Sequence, residues 1–222
     1  MELPFEETWL ISLCEREDRY KMMIPQFKEL GWSVKDFRVV KHPASDLITD
    51  LIGKDLNITR GGCEFNCTRE HYTLIKSAYL RGVKSICIIE DDVHFLKNEN
   101  LWKEYIDNLP KDWDILRICC HRNKFPPVSK YWTHCVLPLF GTGCYALSRK
   151  GMKYMIDSID NKYQPIDVPL FEICKDKGIR HYICTTPLGI HLEDSYNGDI
   201  NIYTNDKSWL NYTKFLDKNN YF

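Results

Sequence analysis

At 222 residues and 44% hydrophobic composition, the chain is long enough to bury a sizeable core and sits near the upper end for one α/β domain. Thirty Lys plus Arg stand against 31 Asp plus Glu, a formal charge of -1. That balance excludes the global basic field that drives polyanion binding, so nucleic acid is not the expected partner.

Read in order, the chain alternates between strand and helix signals. The apolar run TWLISL (residues 8–13) predicts a first strand, followed by a helix near 19–30 that stops at Gly31. FRVV at 37–40 reads as a short strand, and the polar, weakly patterned stretch 42–62 as a long connection of the kind that often serves a site. Leu74, Ile75, Ala78 and Tyr79 mark one face of a helix over 68–80, closed by Gly82. The buried strand SICIIE follows, then a helix at 99–108, a strand DILRIC at 114–119, and a loop through His134 carrying Tyr131 and Trp132. In VLPLFGTGCYALS the last residue, Ser148, is placed to cap the helix RKGMKYMIDSI. A helix at 167–177 ending at Gly178 and a last strand in IRHYICTTPL complete the pattern. Residues 191–222 form a polar, aromatic tail that would fold over a site within a single domain spanning 1–222.

Ten cysteines without a CxxC pair argue against a zinc or disulfide framework. Cys87, Cys119, Cys120, Cys144 and Cys184 lie in strand-like apolar runs, where Cys acts as a small buried hydrophobe. No basic region precedes the apolar stretch of MELPFEETWLISL, and no run approaches the roughly 20 apolar residues needed to span a bilayer. The expected compartment is the cytoplasm, with reduced thiols and no membrane span.

The segment SICIIEDDVHF carries the most chemistry. A fully apolar strand ends abruptly in Glu90, Asp91 and Asp92, where unpaired charge at a core boundary is expensive. In open α/β folds ligands gather outside the carboxyl ends of the strands, so a divalent cation is the natural partner for these acids. If the strand continues, Glu90 and Asp92 point to one side and form an acid-x-acid pair able to hold Mn²⁺ or Mg²⁺ against a diphosphate. A solvated acidic turn is the plain alternative.

Several segments together resemble glycosyltransferase family 25, the lipooligosaccharide and procollagen galactosyltransferases. ISLCEREDRY is similar to the family's opening strand and loop, here with Asp18 and Arg19. GGCEFNCTREHYTLIKSAYLRGVKSICIIEDDVHF is similar to its central block, here with Cys67, His71, Gly82 and Glu90 to Asp92. DWDILRI, FGTGCYALSRKGMKYMI and QPIDVPL follow in the family's order, so the resemblance covers roughly 8–200. The chain departs from the pattern at Glu70, where Ser is common, and at Gly141, Thr142 and Gly143, where a Gly-Thr-His-like element is usual.

The resemblance implies a GT-A type fold, a mixed, mostly parallel sheet flanked by helices that binds a nucleotide sugar, with UDP-galactose or UDP-glucose favoured. It implies inverting transfer to a hydroxyl acceptor, whether a saccharide, a lipid-linked glycan, hydroxylysine or a modified base. The metal would be held by Asp92 with Glu90 or Asp91, completed by the late His191. Charge develops on the leaving diphosphate, and a carboxylate must take the acceptor proton. Asp167 in QPIDVPL fits that base or a plain helix cap; Glu193 and Asp194 are the alternatives. Arg16 and Arg19 present planar forks suited to phosphate or base, or are ordinary surface charges. His71 suits donor contact or a core role, and Gly141, Thr142 and Gly143 allow close backbone approach or simply a turn. Tyr131 and Trp132 would stack on an acceptor sugar or fold back as a lid. The competing readings are an inactive relative or sugar-binding module, and another metal-dependent nucleotide-diphosphate enzyme.

Overall fold

Apolar residues alternate along the strands of this chain, and each alternate set is buried by a different group of helices. The structure is a computed structural model that describes residues 2–39, 61–119, 129–135, 141–161, 166–172, 178–186 and 188–191; for 61–66, 161, 171–172 and 190–191 it describes the backbone alone. The strands are β1 (Glu7–Leu13), β2 (Lys35–Val39), β3 (Ser85–Glu90), β4 (Val93–Phe95), β5 (Ile115–Cys119), β6 (Trp132–His134), β7 (Cys144–Ser148), β8 (His181–Cys184) and β9 (Gly189–His191). The helices are α1 (Glu17–Leu30), α2 (Gly61–Leu80), α3 (Glu99–Asp107), α4 (Arg149–Asn161) and α5 (Asp167–Glu172).

Among the described residues the strands form one sheet in the order β2-β1-β3-β7-β5-β8-β6, with β4 paired to β9 beside β5. The pairings β1–β2, β1–β3 and β5–β8 are parallel, and β7 runs antiparallel to both β3 and β5. Hence β1, β2, β3, β5 and β8 share one direction, while β6 and β7 oppose it. This is the expected α/β class, a mixed sheet in which one strand direction dominates. The carboxyl ends of β1, β3, β5 and β8, together with the start of β7, collect along one edge.

One face carries Leu10, Cys87, Ile89, Leu116, Cys144 and Ala146 and is covered by Met23, Phe27 and Leu30 of α1 and Trp102 and Tyr105 of α3. The other carries Ile86, Ile88, Ile115, Tyr145 and Leu147 under Leu74, Ile75 and Ala78 of α2, four residues of α4, and Leu170 of α5. Each helix presents a 3.6-residue stripe to the sheet. Cys87, Cys119, Cys144 and Cys184 are buried as expected, and Cys120 lies outside the described residues.

Boundaries follow local chemistry where the chemistry is strong. Gly31 closes α1 in the left-handed conformation at φ 66, and Ser148 caps α4 by accepting the Gly151 N–H at 3.1 Å. Helix α2 starts earlier than expected, at or before Gly61, so the glycine pair expected to belong to the connection is helical instead. Most of that connection, residues 42–60, lies outside the described residues, as do Val40 of the strand expected at 37–40, 173–177 of the helix expected at 167–177 and the tail from 192. Three short strands, β4, β6 and β9, were not expected. Each is three residues long and exists because a distant partner supplies its hydrogen bonds.

Gly151 is where α4 passes closest to the sheet. A Cβ there would lie 2.2 Å from the backbone oxygen of Asp114, which accepts the Ser148 N–H at 2.9 Å. Gly→Ala inside a helix ordinarily stabilises by up to about 1 kcal/mol. Here Gly151→Ala is expected to destabilise by about 1–3 kcal/mol through overpacking. Urea unfolding of the two proteins gives the sign, and a stabilised variant would overturn this account.

Candidate active site at the end of strand β3

Strand pairing ends at Glu90, and Asp91 and Asp92 form a turn before β4. The three acids therefore do not alternate as an extended strand would make them. Glu90 faces α2: its Oε1 lies 3.0 Å from Nε2 of His71 and also accepts from the Thr142 hydroxyl. Asp91 and Asp92 turn toward α1, where Nη1 of Arg19 sits 3.5 Å from Asp91 Oδ1 and 3.8 Å from Asp92 Oδ2. The expected Glu90–Asp92 pair on one face is thus replaced by an Asp91–Asp92 pair sharing one guanidinium, because the turn breaks the two-residue period.

Arg19 reaches the turn because α1 lies along this edge. Arg19, Met23, Gln26, Phe27 and Leu30 form its buried stripe. Seven residues after Arg19, the Gln26 amide donates to Val93 O at 3.2 Å and accepts the Phe95 N–H at 2.7 Å. One helix therefore fixes both the acidic turn and the strand that follows it.

Asp91 is 7% exposed, and its Oδ2 is buried without a hydrogen-bond partner among the described residues. Burial above all lifts its carboxyl from the ordinary 3.8 to about 6; the charges of Asp92 and Glu90 add to this, while Ser12 and Arg19 oppose it. A buried carboxylate with a spare oxygen beside a second carboxylate is the electrostatic signature of a cation or proton site.

On the α2 side, buried His71 places Nδ1 2.7 Å from the hydroxyl of fully buried Tyr145, with the rings stacked at 5.7 Å. Cys67 stands one turn before His71, and its Sγ, a ring nitrogen of His71 and a Glu90 oxygen lie within 4.8 Å of one another. The approach to β7 adds Gly141, at φ 98, whose carbonyl accepts from Nη2 of buried Arg117. The Gly143 carbonyl accepts the Glu90 N–H at 2.8 Å. Asp167, the first residue of α5, joins the same cluster: the Gly141 N–H bonds its carboxylate. Burial, then the charge of Glu90, hold Asp167 above the usual carboxylate range against the pull of Arg117, Gly141 and His71.

The fold thus gathers Arg19, His71, Glu90, Asp91, Asp92, Gly141, Thr142, Gly143 and Asp167. Arg16 clasps Asp18 through Nε and Nη2 at 3.1 Å each. Glu70, the departure from the family pattern, is held by Arg69. Trp132 is not an exposed stacking platform; at 3% exposure it donates Nε1 to Tyr105 O inside the core, and Tyr131 packs edge-on against Tyr105 at 5.2 Å. His191 is placed by its backbone opposite Val93, but its side chain, like all of Glu193 and Asp194, lies outside the described residues. Tyr145, Arg117 and Ser12 escaped the sequence reading. The visible signal was a charged residue inside DILRIC; Tyr145 and Ser12 gave none beyond ordinary strand residues.

Comparison with known proteins identifies the family of the chain. A family profile described as glycosyltransferase family 25 (LPS biosynthesis protein) matches residues 5–170. A Haemophilus influenzae protein whose name assigns it to the glycosyltransferases is 25% identical over 187 residues, 73% of this chain and 60% of that one. The inactive glycosyltransferase 25 family member 3 of Mus musculus is 24% identical over 129 residues, 50% of this chain and 21% of that one. The chain therefore matches 60% of the length of the bacterial relative and about a fifth of the mouse one. Among solved structures, the glycosyltransferase GlyE of Streptococcus pneumoniae TIGR4 superposes with a TM-score of 0.48 at 9% identity, covering 93% of this chain and 59% of that one. Because the family match takes in well over half of its 222 residues, this chain belongs to glycosyltransferase family 25.

Proposed function

We propose that the chain transfers a hexose, galactose or glucose, from a UDP-sugar to a hydroxyl acceptor with inversion, using Mn²⁺ or Mg²⁺. Family membership supports a transferase with a nucleotide-sugar donor. The observation that carries the finer reading is the Asp91–Asp92 pair at the carboxyl end of β3, which shares the Arg19 guanidinium and in which Asp91 Oδ2 is buried without a hydrogen-bond partner among the described residues. Such a pair fits a hard divalent ion, and Asp92 with Asp91 would hold it. Bound there, the ion would neutralise charge developing on the leaving diphosphate.

The protein's own groups supply the rest. Arg19 offers guanidinium donors beside the acids, where phosphate oxygens would lie. Backbone at Gly141 and Gly143 leaves room for close approach by the donor. Asp167 takes the proton from the acceptor hydroxyl as that oxygen bonds the anomeric carbon and the bond from this carbon to the diphosphate oxygen breaks on the opposite side. Its raised proton affinity, caused by burial and Glu90, suits a base. An inactive relative is the second reading, prompted by the name of the mouse protein.

Thermal-shift and hydrolysis measurements across a panel of nucleotide sugars, with and without Mn²⁺, test the donor site. One UDP-sugar is expected to stabilise the protein only with metal, and Asp92→Ala is expected to abolish both shift and turnover. Absence of any nucleotide-sugar response would sink the transferase reading. Asp167→Asn is expected to keep donor binding and lower kcat roughly 10²–10⁴-fold. In the wild type the acid limb of kcat/KM should lie above the ordinary 3.8, because the base must be ionised and its pKa is raised. Unchanged kcat would remove Asp167 from the reaction.

Asp91 also makes a stability prediction for the metal-free protein. Its folded pKa of about 6 exceeds the unfolded 3.8, so ionising it opposes folding. The penalty is absent below 3.8, grows between 3.8 and 6, and is complete above 6, at roughly 3 kcal/mol. Asp91→Asn should therefore unfold at higher temperature than the wild type at neutral pH, with the difference vanishing on acidification below 3.8. A pH-independent difference would show that the carboxylate is not desolvated as described.

A further inference from the structure

The acidic triplet is divided between two chemically different surroundings, and the Glu90 half has a ligand set of its own. We propose that Cys67, His71 and Glu90 form a binding site for a borderline-soft divalent cation of the zinc class, separate from the Asp91–Asp92 pair. The three donor atoms lie within 4.8 Å of one another, so they would draw in by no more than about 1.5 Å to reach the roughly 3.3–3.8 Å separation of ligands that sit about 2.0–2.3 Å from a shared tetrahedral ion. Their residues are fixed by secondary structure. Cys67 and His71 are four apart on α2 and so share one helix face, and Glu90 is the last residue of β3 opposite them.

The surroundings of the set match what a bound metal needs. His71 is 1% exposed, and its Nδ1 lies 2.7 Å from the Tyr145 hydroxyl, which holds the ring with Nε2 turned toward Glu90. Ligating histidines characteristically have their second ring nitrogen anchored in this manner. Glu90 is oriented by the Thr142 hydroxyl and by its own N–H on Gly143 O. A thiolate, an imidazole and one carboxylate select zinc over manganese or magnesium, which favour all-oxygen shells. Three protein ligands leave one tetrahedral position for water or another small ligand. The cation would relieve the repulsion between Glu90 and Asp91 and tie α2 to the end of β3, without needing a nucleotide sugar to bind at all.

Cobalt substitution reads the site directly, because a cobalt–thiolate bond gives a charge-transfer absorption that oxygen ligands do not. Chelator-treated full-length protein should take up one equivalent of Co²⁺ with that band, and Zn²⁺ should displace it. Cys67→Ser should lose the band. Glu90→Gln, close in shape to the native side chain and the deciding variant if Cys67→Ser does not fold by circular dichroism, should keep the band but bind Co²⁺ at least about ten-fold more weakly. Asp92→Asn should bind Co²⁺ with the wild-type spectrum, even if every nucleotide-sugar assay fails. The proposal is overturned if the wild type shows no thiolate band, if Cys67→Ser or Glu90→Gln retains wild-type binding and spectrum, or if Asp92→Asn removes the band.

Discussion

Three carboxylates in succession at the end of a buried strand repel one another, and the surroundings of β3 are arranged by how that repulsion is divided. Left together in the interior, uncompensated charges would cost several kcal/mol each. The turn at Asp91–Asp92 separates them instead. Glu90 goes to His71 and Thr142 on one face of the sheet, and the two aspartates go to Arg19 on the other. The compensation is incomplete, since Asp91 keeps a buried oxygen without a partner among the described residues and a raised pKa. A fold that leaves this much unsatisfied charge at the carboxyl edge of its sheet retains an attraction for cations there.

Helix α1 makes the division possible. Its buried stripe sets Arg19 beside the turn and Gln26 beside β4, and the Gln26 amide completes the hydrogen bonding of β4 as a neighbouring strand would. Below it, Trp32 meets Phe95 at 4.9 Å and Trp102 at 4.7 Å in edge-on contacts that lock the far end of this segment into the core. The acidic turn is thereby held between two fixed points about a residue or two away on either side. Such rigidity places the charges of the turn before any ligand arrives.

On the opposite face, His71 and Tyr145 carry the organisation inward from Glu90, and Arg117 and Asp167 extend it through the Gly141 backbone. Arg117 is fully buried on β5, where its guanidinium donates to the Gly141 carbonyl and interacts electrostatically with Asp167. The two faces thus meet at three consecutive residues. A hard oxygen pair lies on one side, and a mixed sulfur, nitrogen and oxygen set lies on the other.

Much of this was determined by the sequence itself, because the signals were local and strong. The apolar run ending in Glu90, Asp91 and Asp92 defined β3 and the site edge; Gly31 and Ser148 defined helix ends; and Asp167 was legible as a placed carboxylate. Tertiary structure alone decided the rest. Strands β4, β6 and β9 are too short to carry a period and form only where a remote strand offers hydrogen bonds. Trp132 could be read as a surface platform until the fold enclosed it beneath α3. The separation of Glu90 from Asp92 could not be read from their spacing, because alternation holds only while a strand stays paired. Where pairing stops, long-range packing against α1 and α2 sets each side chain's direction.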